Sequence, residues 1–433
     1  MKKLLLLLFC LTFLLNSCKK DKETEPSEYK REAADVLPQN NSSILEQRFY
    51  GNADGRYSLY SINDTKTFFY FHATSGQLKD TVFSSENIVG KMDYSGNVLS
   101  DYAPGITVRG VTYLPVDTGK YAKGLVFYGK TTSTPSRAIL MVSEAENLNQ
   151  TFNITNDEID TWFNSIIVKN VIGNLITYIA IGGKTINNVY FPYLCEIQVD
   201  IKDKSITKTS SKIFNEYSNQ IFKNIKSDEN SNGNFYCTIG NYNSNKNEQY
   251  FSVACLTSQY NVTWKTDVRY NSELINSVKE NIIVCNSKIY TICNVEDTDK
   301  PLTSEGKKWE SGLVTCLNMQ GQQQWQTKIK LSNYNENLTG ITDYNGYIYI
   351  VGEQGEKYRT KNSSSKWCYG NALLVKLDAS NGSIINSNTF GDGTYASGFN
   401  SVSIVNANIY CVGYAKYEQT KGGYMGWFVK LAL

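Results

Sequence analysis

Ten cysteines and a single histidine, His72, bound the chemistry this 433-residue chain can carry. One imidazole excludes zinc sites built on several histidines and relays that need a second histidine for a metal. Seven of the cysteines (Cys195, Cys237, Cys255, Cys285, Cys293, Cys316 and Cys411) fall in runs that read as strands, with no C-x-x-C pair among them. Neighbouring strands could bring Cys237 near Cys255, or Cys293 near Cys316; the favoured reading is that these thiols pack as small apolar groups. Cys368, beside Trp367, reads as the loop cysteine most exposed to solvent. The runs Asn52-Ala53-Asp54-Gly55, Asp93-Tyr94-Ser95-Gly96 and Asp378-Ala379-Ser380-Asn381-Gly382 lack the alternating carboxylates and closing Glu of a calcium loop. Asx turns account for them better. No metal site and no cofactor are therefore expected.

Aromatic residues crowd three long connections, Val295 to Glu310, Glu353 to Gly370 and Ala415 to Gly426. These carry Trp309, Tyr358, Arg359, Trp367, Tyr369, Tyr417 and Tyr424 among lysines and aspartates. Aromatic planes with polar neighbours suit a sugar ring or a protein anchor, because Tyr and Trp offer large area at low entropy cost. The plainer alternative is that they pin long loops to the body of the domain. A glycosidase would need two carboxylates a few ångströms apart. Glu273, Glu336 and Asp160 lie near the starts of inner strands without a recognisable motif. The expectation is thus a binding module that is not an enzyme, its ligand a glycan, a peptide or an envelope protein. A glycoside hydrolase with paired rim carboxylates is the alternative.

The elements that would position these loops repeat along the chain. Gly346-Tyr347-Ile348-Tyr349-Ile350-Val351-Gly352 recurs as Asn408-Ile409-Tyr410-Cys411-Val412-Gly413, and Val375-Lys376-Leu377 as Val429-Lys430-Leu431. Short β-branched and aromatic runs cut by Gly, Asn and Asp turns are antiparallel strands. A small residue followed by an aliphatic marks each inner strand, at Leu59, Val111, Ile166, Ile225, Val278, Ile341 and Val402. Seven units of four strands predict an all-β fold, a seven-bladed β-propeller over residues 44–433. The seventh unit ends after its third strand, while Ile44 to Gly51 stands before the first unit and resembles the end of a fourth. That orphan is expected to complete blade seven and close the ring. The units resemble seven-bladed propeller repeats of bacterial extracellular (SBBP-type) proteins and, more loosely, pyrroloquinoline-quinone-type repeats; Gln322-Gln323-Gln324-Trp325-Gln326-Thr327-Lys328 carries the latter likeness. A quinone enzyme would also need clamping cations and metal ligands that the sequence does not display.

Met1-Lys2-Lys3 and the apolar run Leu4 to Leu15 read as a secretory signal, too short to span a bilayer core of about 20 residues. Leu15-Asn16-Ser17-Cys18 resembles the lipobox of bacterial lipoproteins, which implies removal of residues 1–17 and acylation of Cys18. Residues 18–43, rich in Lys, Asp and Glu, then form a flexible tether. Together these imply an exported, monomeric propeller held by lipid on the bacterial cell envelope, most simply the outer membrane. With 43 basic and 41 acidic residues, nothing points to nucleic acid.

Overall fold

The computed structural model describes residues 43–433 except 51–54, 80–81, 117–121, 229–232, 242–249, 272, 276–280, 302–308, 357–368, 392–395 and 417–423. Cys18 and the rest of residues 1–42 lie outside the described residues. The described chain folds into 28 strands and no helix, arranged as seven blades of four antiparallel strands in a ring. Blades one to six span residues 55–102, 107–159, 161–213, 220–268, 281–329 and 335–390. Blade seven takes three strands from residues 397–432 and its outermost strand from Ile44–Tyr50.

That borrowed strand runs antiparallel to Tyr424–Ala432, pairing Arg48 with Phe428 and Phe49 with Trp427, as the sequence predicts. The Phe49 ring stacks on Trp427 at 6.0 Å. Seven apolar cores separate the blades, one per interface. Between blades six and seven, for instance, Tyr349, Val351 and Leu374 meet Phe399, Val402 and Trp427. Strand side chains alternate between faces, so each blade feeds two cores at once. This is why the second strands read as near-continuous apolar runs rather than as alternation.

Every described inner strand except that of blade five carries a β-bulge at an equivalent place: Tyr60, Arg109, Asn164, Lys223, Thr339 and Asn400 are the extra residues. The small residue and the aliphatic follow directly. Pairing across the blades corrects two positions of the sequence reading. In blade one the residue equivalent to Ile341 is Ile62, opposite Phe71, whereas Leu59 matches Leu338. In blade five it is Ile282, opposite Thr291. Val278 lies outside the described residues, and the literal Asn-Ser-Val match there does not set the register. With Ile62 and Ile282 in place, successive positions are 49 to 61 residues apart.

Turns between third and fourth strands lock neighbouring blades. Gly321 and Gly382 sit in the left-handed region at φ 78° and 75°, where a side chain would be strained and would strike the Trp264 or Trp325 ring of the preceding blade. Thr266 and Thr327 donate to the Gly321 and Gly382 carbonyls, each at 2.7 Å. Across the closure, Arg48 Nε donates to Ser95 O at 3.2 Å and Tyr50 hydroxyl to Gly96 O. The borrowed strand thus makes the same clasp that the native outer strands make. As expected, Asp93 and Asp378 shape Asx turns, accepting from Ser95 N at 2.9 Å and Ser380 N at 2.7 Å.

Candidate functional site

Two faces follow from strand direction. One holds the links between first and second strands and between third and fourth; the other, here called the upper face, holds the second-to-third loops and the links between blades. On the upper face of blade five the structure gathers charges that the sequence scatters over some sixty residues. Lys328, near the end of the outer strand Gln323–Ile329, places Nζ 2.7 Å from Asp297 Oδ1, 3.0 Å from Glu273 Oε1 and 3.4 Å from Asp299 Oδ2. Glu273 comes from the link into the blade, Asp297 ends its second strand, and Asp299 begins the long loop. Beside them Lys300 and Glu336 form a wholly buried ion pair. Glu336 Oε1 also accepts from Ser332 N at 2.8 Å and Ser332 Oγ at 2.7 Å, and Ser311 donates to Asp297 Oδ2 at 2.7 Å. The root of the loop is therefore staked to two blades.

Burial alone would raise the Asp297 carboxyl, but bonds from Lys328 and Ser311 hold it below the ordinary aspartate range. Burial likewise works against the Lys328 ammonium, and Asp297 and Glu273 override it, holding that lysine above its usual value. Lys300 goes the other way: burial lowers it despite its partner Glu336. Glu273, Asp297 and Asp299 offer oxygens within 4.8 Å of one another, a donor set that suits a hard divalent cation. Lys328 already contacts all three carboxylates, so an ammonium supplies the positive charge and the donors do not fit a resident metal.

The sequence-predicted site residues fare unevenly. Trp309 opens the third strand of blade five, is 5% exposed, and meets Tyr334 edge-on at 5.6 Å. Its surroundings are those of a loop pin. Tyr369 pairs with Glu356, and Tyr424 with Lys416, at the upper ends of blades six and seven. Tyr358, Arg359, Trp367 and Tyr417 lie outside the described residues. Reasoning from sequence missed Lys300, Lys328, Asp297 and Asp299; it did mark Glu273 and Glu336.

His72 is buried between blades one and two, stacked on Tyr60 at 5.4 Å, with Nε2 3.1 Å from Asn87 Oδ1. Burial, opposed by the Asn87 bond and helped by Arg109, pushes it down to about 4, so it is neutral near pH 7. The seven described cysteines are free thiols. Cys237 and Cys255 serve opposite faces of blade four, and Cys293 and Cys316 opposite faces of blade five, which rules out either bridge. Burial pushes Cys195 up to about 12 and Cys316 up to about 11, the mark of packing thiols rather than nucleophiles. Cys368 lies outside the described residues.

These features define a seven-bladed β-propeller with a staked loop on its upper face. No protein-family model matches the chain, and no curated protein matches it. Among solved structures it is similar to Raptor of Chaetomium thermophilum, at 6% identity and a TM-score of 0.48 over 89% of this chain and 28% of that one. It is also similar to the polysaccharide lyase Uly1 (9%, 0.48, covering 93% and 96%). A third is the GH93 α-L-arabinofuranosidase of Fusarium graminearum (8%, 0.46, covering 75% and 93%). At such identities the likeness extends to the fold alone. Two of the three are enzymes by name, so the lack of a familiar motif is no ground for the expectation that this chain is not an enzyme, and that expectation does not stand.

Proposed function

We propose that the chain is an exported propeller, lipid-anchored through Cys18, that binds a glycan, a peptide or an envelope-protein partner on its upper face. The observation that supports this most is the staking of the described root of the blade-five loop, Asp297 to Lys300, by the Lys300–Glu336 pair and the Lys328 cluster. A loop whose root is held before its ligand arrives loses less entropy on binding. The sequence of the adjoining connections, which follow Glu356 of blade six and Lys416 of blade seven, supplies Tyr358, Arg359, Trp367, Tyr369, Tyr417 and Tyr424 as the candidate contact groups. Screening the purified chain on glycan and peptide arrays tests the reading. A hit should weaken at least about tenfold in a Tyr358→Ala, Trp367→Ala double variant, the loss of two aromatic anchors. Binding that survives the double change places the ligand elsewhere.

A catalytic reading rests on a separate observation. Glu273 Oε2 is buried without a hydrogen-bond partner among the described residues, in the same cluster as the exposed Asp299. The nearest oxygens of these carboxylates lie within 4.8 Å of one another, the close-set kind of pair that retaining glycosidases use at about 5–5.5 Å. Release of reducing sugar from array hits, lost in Glu273→Gln, would carry that reading; no turnover of any bound saccharide would remove it.

A further inference from the structure

The lower face holds a feature that neither the upper-face loops nor the ring itself requires. In blades one, four, five, six and seven the outer strand opens with a β-bulge at an equivalent register, and the extra residues are Leu99, Thr263, Gln324, Ile385 and Leu45. Blades four and five place polar residues there. The three consecutive blades six, seven and one place large aliphatics, exposed by 52%, 55% and 54% at Ile385, Leu45 and Leu99. Val98 and Ile384, each just before its bulge, are exposed as well, as is Leu433 on the same face. Scattered exposed aliphatics need no explanation; an arc of them at one repeated position does.

The arc surrounds the root of the tether. Ser43 O accepts from Ala432 N at 3.0 Å on the lower face, and Leu45 is two residues further on. From there residues 19–43 lead back to Cys18, and a coil of 25 residues would span about 25–30 Å. A tether of that reach lets the ring touch the bilayer to which its anchor holds it.

We propose that the arc formed by Leu45, Val98, Leu99, Ile384 and Ile385 rests on the membrane surface. The lower face of blades six, seven and one then lies against lipid, and the upper-face loops point away from it. This rests on acylation of Cys18. Acyl chains supply the affinity, and the aliphatic arc supplies orientation, inserting at the level of the headgroups where apolar side chains are favoured.

The test uses the full acylated chain in phospholipid vesicles, in a Cys285→Ser, Cys368→Ser background that removes the partly exposed described thiol and the loop cysteine. An environment-sensitive maleimide is placed at Leu99→Cys, at Ile385→Cys and, as the equivalent position on a polar blade, at Gln324→Cys. The expected result is a blue shift and about threefold less quenching by aqueous iodide at Leu99→Cys and Ile385→Cys than at Gln324→Cys, the difference between an interfacial and an aqueous site. Equal quenching at all three, on a chain shown by mass to be acylated, overturns the orientation and leaves the anchor intact. A chain that carries no acyl group at Cys18 overturns the anchor, and the orientation with it.

Discussion

Lys328 holds three carboxylates with one ammonium, and two of them are buried. Replacing it with methionine leaves Glu273 and Asp297 facing each other without a countercharge. Removing one partner of a buried ion pair costs about 3–5 kcal/mol. Lys328→Met is therefore expected to lower stability by that amount in a urea titration, and a loss under about 1 kcal/mol would show that solvent reaches the cluster. His72 gives a pH-dependent counterpart. Its folded value of about 4 lies below the unfolded 6.5, so the unfolded chain binds the extra proton first. Its contribution is fully present above pH 6.5 and is lost as pH falls through 4, in total about 3 kcal/mol. His72→Leu should flatten the fall in Tm between pH 7 and pH 4 relative to the parent; parallel curves would mean that the imidazole is solvated. Neither group was legible as a unit in the sequence. Lys300, Lys328 and Glu336 belong to three segments, and an isolated charge reads as solvated until the fold brings its partner to it.

Among the elements, the clasp between blades is the most exacting device. Gly382 needs a left-handed backbone and leaves no room for a methyl group beneath Trp325. Gly382→Ala should cost about 1–2 kcal/mol from the backbone alone, and more from the displaced ring. Trp325→Ala should cost about 3 kcal/mol, as large aromatic truncations do. In a double-mutant cycle the two should be strongly non-additive, because each removes the same contact; simple additivity in thermal melts would show that the ring and the turn act apart. The repeated strands were legible because Gly-tipped aromatic runs carry a period that a single unit cannot hide. The inner strands were legible only in part. A bulge shifts side-chain facing by one residue, so Leu59 could stand in for Ile62, and a chance Asn276-Ser277-Val278 could stand in for Ile282.

At the scale of the whole molecule, seven cores and seven interfaces leave every blade dependent on two neighbours. The ring closes where Ile44–Tyr50 joins Tyr424–Ala432, and Arg48, Phe49 and Tyr50 there hold blade seven and reach over to blade one. That closure was legible because the orphan strand repeats the end of a fourth strand. The role of the aromatic connections was not, since aromatic content alone cannot separate an exposed platform from a pin such as Trp309. The closure also fixes the face at which Ser43 enters the ring and the face that the second-to-third connections occupy, so the functional proposals depend on it. Thermal unfolding of a chain lacking residues 43–50 tests it most directly. The expected result is a Tm lowered by well over about 10 °C, with loss of a single cooperative transition, as an unpaired strand edge and an opened core would give. An unchanged Tm and one sharp transition would contradict a ring closed by that strand.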